Sequence, residues 1–213
     1  MSVEQLTLAG IRRPGVGDTG DELDRHFTPW PLAQIVVEAM HDAYVGAFGD
    51  APRIVIEPSV GGGTIARAMR EQWPVARLFG VDIDDQAEGR HVVDEFIHHD
   101  WLTLDLQQEF AHLAGGNPPF SEDIGVAHVE QCIAVAPMVA LILPWEAFGA
   151  GRKDDHWEDL MLGSRRPMLA RQVVGPRPWG DSIRQAALYV WALEITQADG
   201  RDTVVRPLPR WKQ

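Results

Sequence analysis

The chain has 213 residues, of which 45% are hydrophobic and 23% charged, a mixture that suits one sizeable core and excludes a disordered chain. Its formal net charge is −12, unevenly spread: residues 1–151 hold 8 basic and 23 acidic residues, a net of −15, while residues 152–213 hold 11 basic and 8 acidic ones, a net of +3. A polyanion is therefore expected to approach the C-terminal third, leaving the acidic part to face a cation or a partner protein.

Cys132 is the single cysteine, which excludes an internal disulfide and a site of several thiolates. No run approaches the ~18–20 apolar residues that span a bilayer, and the N-terminus lacks the basic, apolar and small-residue order of a signal peptide. A cytoplasmic protein with no membrane partner is the expectation.

Residues 1–24, with Gly10, Gly15, Gly17 and Gly20 among scattered charges, predict a loosely packed arm, and residues 25–213 a single domain. Arg25-His26-Phe27-Thr28-Pro29 precedes a helix expected from about Leu32 to Phe48. The stretch Arg53 to Ile65 predicts a short buried strand, the turn Glu57-Pro58-Ser59-Val60-Gly61-Gly62-Gly63, and a helix start. Glycines there let the backbone pass close to a ligand, as in a nucleotide-type βα turn.

A second strand over Arg77–Asp84 presents Asp82, a carboxylate at about the distance along the chain that suits a ribose diol. A third strand end is expected at His98-His99-Asp100-Trp101, and a fourth at Asn117-Pro118-Pro119-Phe120. Carboxyl ends of parallel strands are where open α/β sheets bind ligands, so four loops are expected to meet at one crevice. Asp82 and Asp100 have an alternative as solvated strand-end carboxylates, and Trp101 as simple core. His98 and His99 point to opposite faces of a strand, which argues against a metal site.

Downstream, residues 124–136 carry helical periodicity that places Cys132 with Val126, Val129, Ile133 and Ala136 in a packed stripe rather than at a nucleophilic position. Met138 to Pro144 is a continuous apolar run suited to a buried central strand. A helix is expected over Asp155–Leu162, and the last two strands over Arg171–Val174 and Ala187–Ile195.

Asn117-Pro118-Pro119-Phe120 is the most telling segment. The lone pair of an exocyclic amine is delocalised into its π-system, so it attacks no electrophile until it is drawn out of plane. The Asn117 side-chain oxygen and the Pro118 carbonyl can accept the two N–H bonds of one amine. Two prolines keep the loop stiff and bring no competing N–H, while Phe120 offers a flat stacking face. Read alone, the same four residues also make an ordinary rigid turn.

In this order the segments resemble class I S-adenosylmethionine-dependent methyltransferases of the amino-group type, above all adenine-N6 DNA methyltransferases in their gamma arrangement. The resemblance covers roughly residues 25–195. It implies an α/β, Rossmann-like fold with a mostly parallel seven-stranded sheet and helices on both faces. It further implies S-adenosyl-L-methionine as cofactor, with Phe27, Thr28 and Pro29 bordering its methionine end and Glu57, Pro58, Ser59, Gly61 and Gly63 shaping its pocket. Asp82 would hold the ribose hydroxyls with Ile83 against the adenine ring. Asp100 would accept from the cofactor adenine amine beside Trp101. Asn117, Pro118, Pro119 and Phe120 would be catalytic.

Pro176-Arg177-Pro178-Trp179 resembles a family segment that brings an aromatic to the far face of a flipped base. Trp179 either completes a sandwich with Phe120 or plugs the edge of the core, and Arg177 either binds phosphate or caps the sheet.

Family members that read DNA unaided carry a separate recognition region, whereas about 18 residues follow Ile195 in this sequence. Selectivity is then expected from the loop Gly149–Arg166, from a partner subunit or second copy, or to be low. The implied reaction is methyl transfer to adenine N6 in DNA. RNA, a protein glutamine, or a non-catalytic subunit are the alternatives.

Overall fold

The computed structural model describes residues 27–120, 122–145, 155–175, 179, 185–192 and 203–212, with backbone alone at 122–124 and 155–157. The expected arm over residues 1–24, along with Arg177 and residues 149–154 of the loop Gly149–Arg166, lies outside these.

Helix α1 (Trp30–Phe48) starts at Pro29 and has a second proline in its first turn, where the missing N–H leaves no bond unmade. It stops at Gly49, whose left-handed φ of 79° lets its N–H donate to the Val45 carbonyl. Strand β1 (Ile54–Glu57) leads through the glycine turn to helix α2 (Thr64–Gln72). Strands β2 (Arg77–Asp82), β3 (Glu95–His98) and β4 (Leu113–Gly116) follow, then helix α3 (Glu122–Val135), strand β5 (Met138–Pro144) and helix α4 (Asp155–Met161). Strands β6 (Leu169–Gln172), β7 (Ala186–Trp191) and β8 (Val204–Pro207) complete the described elements.

The strands form one sheet in the order β3-β2-β1-β4-β5-β7-β6-β8. Pairing is parallel from β3 through β5, antiparallel on both sides of β7, and parallel again between β6 and β8. The sheet thus has eight strands where seven were expected. The additional β8 shows neither alternation nor an apolar run, because all four of its residues are exposed.

Alternate strand residues feed two cores, as the period of two requires. Val55, Leu78, Leu113, Met138, Ala140, Leu188 and Val190 pack with α1 and α2. Ile56, Phe79, Val81, Ala114, Val139, Leu141 and Tyr189 pack with α3 and α4. Cys132 is fully buried in the second core, and burial pushes its thiol well above the ordinary range, so the expected packing role is what the structure displays. No helix among the described residues is long and apolar enough to cross a membrane.

Strand order reverses between β1 and β4, which both leave the sheet at its carboxyl edge. A crevice opens at such a reversal because the connections on its two sides diverge to opposite faces.

Candidate functional site

The glycine turn leaves β1 at this edge. Gly61 and Gly63 adopt φ of 46° and 73°, conformations that a side chain disfavours. Val60 N–H donates to the Val81 carbonyl and Gly89 N–H to the Gly61 carbonyl, so the turn is bound to β2 and to the 3₁₀ turn Glu88–His91. The approach is close: a Cβ on Gly63 would lie 2.5 Å from Gly89 Cα. Phe27 covers the outer side, its Cδ1 lying 2.9 Å from where a Gly62 Cβ would stand, and remains 58% exposed. Thr28 and Pro29 follow it into α1, and Thr28 is buried.

At the end of β2, Asp82 joins two loops. Its Oδ2 accepts the Gly61 N–H at 2.7 Å and its Oδ1 accepts the Asp84 N–H at 2.9 Å. Ile83 is 56% exposed, and its carbonyl lies 3.1 Å from His98 Nε2. Asp100 caps the 3₁₀ turn Trp101–Thr103 by accepting the Leu102 N–H at 3.0 Å. Trp101 is buried in the α3-side core, a packing position.

Glu57 ends β1 with only 2% of its surface exposed. Burial pushes its carboxyl well above the ordinary carboxylate range, the Asp82 charge pushes the same way, and a hydrogen bond from Ala66 N–H opposes both. Among the described residues, Glu57 Oε2 and Thr28 Oγ1 are buried with no hydrogen-bond partner. A buried, unmatched acceptor is unfavourable by about 1–3 kcal/mol.

Asn117-Pro118-Pro119-Phe120 leaves β4 directly beside Glu57, since a Cβ on Gly116 would sit 3.2 Å from Glu57 Cγ. The Asn117 side-chain oxygen is buried, as is Pro118, while Pro119 and Phe120 are half-buried. Phe120 meets Trp179 edge to face, with centroids 5.1 Å apart and planes at 81°. Two rings that sandwich a third would stand roughly 7 Å apart, twice the ~3.5 Å carbon contact distance. The pair therefore fills the slot that the sandwich requires, and Trp179 is 8% exposed.

The structure thus brings Phe27 to Pro29, Glu57 to Gly63, Asp82, Ile83 and Asn117 to Phe120 to one edge of the sheet. Two supporting residues were not anticipated. Gly89 backs the glycine turn, but a lone glycine in an aperiodic stretch carries no local signal. His128, buried on α3, places Nε2 3.2 Å from Ser59 Oγ, which also donates to the Pro58 carbonyl. Its place in the buried stripe with Val129 and Cys132 was the one available clue.

No family model matches the chain. A curated relative, the type II methyltransferase M.CvrRI of Paramecium bursaria Chlorella virus XZ-6E, is 29% identical over 107 residues, which is 48% of this chain and 26% of that protein. The match thus takes in about a quarter of the relative's length.

Among solved structures, a protein assigned as a class I S-adenosylmethionine-dependent methyltransferase from Listeria monocytogenes superposes with a TM-score of 0.68 at 13% identity, over 89% of this chain and 68% of that one. The methyltransferase subunit of a type I restriction-modification system from Streptococcus thermophilus gives 0.60 at 14%, over 81% and 47%. The plantazolicin methyltransferase BpumL, in complex with SAH, gives 0.55 at 11%, over 76% and 84%.

Proposed function

We propose that this chain, whose fold is that of the class I methyltransferases, transfers a methyl group from S-adenosyl-L-methionine to the exocyclic N6 amine of adenine in DNA. The observation that carries this reading is the juxtaposition, at the β1/β4 reversal, of the buried Glu57 carboxyl with the Asn117–Phe120 loop.

The crevice fits the cofactor on its own chemistry. Glu57 Oε2 and Thr28 Oγ1 are buried polar atoms awaiting a partner, and a cationic ligand would favour the charged form of the Glu57 carboxyl that burial and the Asp82 charge disfavour. Glu57 and Thr28 would hold the methionine end, with Phe27 and Pro29 bordering it. Pro58, Ser59, Gly61 and Gly63 would allow close backbone approach. Asp82 would take the ribose diol, and Ile83 the adenine face. Asp100 remains the candidate acceptor for the cofactor adenine amine, with Trp101 supporting it from the core. When bound, the cofactor supplies the methyl group as an electrophile.

Asn117 and the Pro118 carbonyl accept the two N–H bonds of the substrate amine and favour a pyramidal nitrogen, so the lone pair projects away from the loop. Pro118 and Pro119 hold the loop without a competing donor. Phe120 supports the base plane once the Phe120–Trp179 contact opens. No strongly basic side chain is required, because the amine becomes acidic only as it is alkylated, and no covalent enzyme intermediate is involved.

DNA is favoured as substrate by the resemblance to the viral type II enzyme and by the type I restriction-modification subunit among the structural neighbours. That neighbour is also the reason to propose a partner subunit for target recognition. The net charge of −12 favours a second reading, the same chemistry on RNA or a protein glutamine.

The test is transfer of labelled methyl to unmethylated genomic DNA, total RNA and protein extract in parallel, with mass analysis of the digested product. N6-methyladenine from the DNA supports the leading reading. Label confined to RNA or protein replaces the substrate, and no label in any lane favours a missing partner or a non-catalytic subunit.

A further inference from the structure

The segment after β8 runs beside the continuation of β6, at the same edge of the sheet as the candidate site. Strand β8 runs parallel to β6, and β6 and β5 both run antiparallel to β7. Strands β6 and β8 therefore end at the same edge as β1, β2, β4 and β5. Beyond β8 the chain continues along Val173 and Val174: Leu208 N–H donates to the Gln172 carbonyl at 2.8 Å and Trp211 N–H to the Val174 carbonyl at 3.1 Å. Trp211 is 1% exposed and seats against Gly175, where an added Cβ would stand 2.5 Å from its Cδ1. Gly175 lies four residues before Trp179, which touches Phe120. Leu208, Trp211 and Trp179 thus belong to one buried cluster, against which Phe120 packs.

Leu208 and Trp211 anchor this segment inward, while Arg206, Arg210 and Lys212 are exposed. Residues 203–212 contain those three cations and no acidic residue, in a chain that is otherwise strongly acidic. Among the described residues no carboxylate forms a salt bridge with any of the three. Held backbone with unpaired cations at the rim of a site is the arrangement that phosphate contacts use, because such contacts set register and orientation without reading bases.

We propose that residues 207–212 form a phosphate-contacting arm in which Arg210 and Lys212 hold the backbone of the DNA strand whose base enters the Asn117–Phe120 loop. This rests on the DNA reading above. The experiment measures binding of a short labelled DNA duplex by the full chain against salt concentration, together with methylation of unmethylated DNA.

In R210A/K212A the slope of log affinity against log salt should fall by about 1.8, two contacts at ~0.9 each. Cofactor affinity should stay as in wild type while KM for DNA rises, and R210K/K212R should keep the wild-type slope. If wild type methylates DNA and R210A/K212A keeps its slope, the arm is overturned and the function stands. A wild type that methylates no DNA overturns both. Weakened binding of RNA but not of DNA by R210A/K212A overturns the arm as a DNA contact.

Discussion

Asp82 Oδ2 accepts the Gly61 N–H at 2.7 Å, so a carboxylate at the end of one strand holds the glycine turn that follows its neighbour. Its other oxygen takes the Asp84 N–H, which fixes the loop carrying Ile83. Both lone-pair directions used are charge-assisted, and both keep the crevice in shape before any ligand enters.

Removing that joint should therefore do more than delete one ligand contact. Asp82→Ala should weaken cofactor binding about tenfold or more, ~1.4 kcal/mol, measured by calorimetric titration. Unchanged affinity would count against the pocket assignment.

Asn117→Ala removes one of the two acceptors proposed for the substrate amine and touches no proposed cofactor group. The expected loss in kcat is about 10²- to 10³-fold, the range for a single preorganised transition-state hydrogen bond, with cofactor affinity nearly unaltered. A parallel loss of cofactor binding would show that the residue has another role.

The raised Glu57 carboxyl makes a prediction about pH. The folded state retains this proton above 4.5, the ordinary value, where the unfolded chain has lost it, so the stability contribution is complete below that value. It is lost as pH rises through the folded pKa. Glu57→Gln should flatten this part of the stability–pH curve and stabilise the ligand-free protein above it, while weakening cofactor binding. Thermal melts across pH, with and without cofactor, measure both effects; a Glu57→Gln curve that keeps the wild-type slope would exclude Glu57 as its source.

Gly63→Ala meets Gly89 Cα at 2.5 Å and must hold a φ of 73°. Backbone strain alone is about 1–3 kcal/mol. Gly46→Ala offers the contrast, since nothing lies within 4 Å of its added Cβ on α1, and should stabilise by about 0.5–1 kcal/mol. Urea denaturation distinguishes them; equal effects would refute the close Gly63–Gly89 packing.

Trp179 is buried against Phe120, so Trp179→Ala combines lost packing with any lost stacking. Trp179→Phe keeps an aromatic and separates the two. If Trp179 engages the target base, Trp179→Ala should raise KM for DNA by about tenfold, consistent with ~1–3 kcal/mol per stacked base, while Trp179→Phe recovers most of it. Wild-type kinetics in a folded Trp179→Ala protein would leave it a packing residue.

Helix α1 was expected over Leu32–Phe48 and runs Trp30–Phe48, and the apolar run Met138–Pro144 is strand β5. Both were legible because burial on a helical stripe, or on both faces of a strand, imposes its own period on local composition. Strand β8 left no such mark, since Val204, Val205, Arg206 and Pro207 are all exposed and their partner β6 lies more than thirty residues earlier in the chain.

The components of the candidate site were readable one by one, because they depend on properties of residue types. Glycine alone takes the φ of Gly61 and Gly63 without strain, and proline alone withholds an N–H at Pro118 and Pro119. Their assembly was not readable in the same way. That Glu57 lies against Gly116, that Asp82 grips Gly61, that Gly63 presses on Gly89, and that Trp179 fills the space beside Phe120 all follow from strand order and packing across long chain separations. Such contacts form only when the whole sheet does, and no local pattern encodes them.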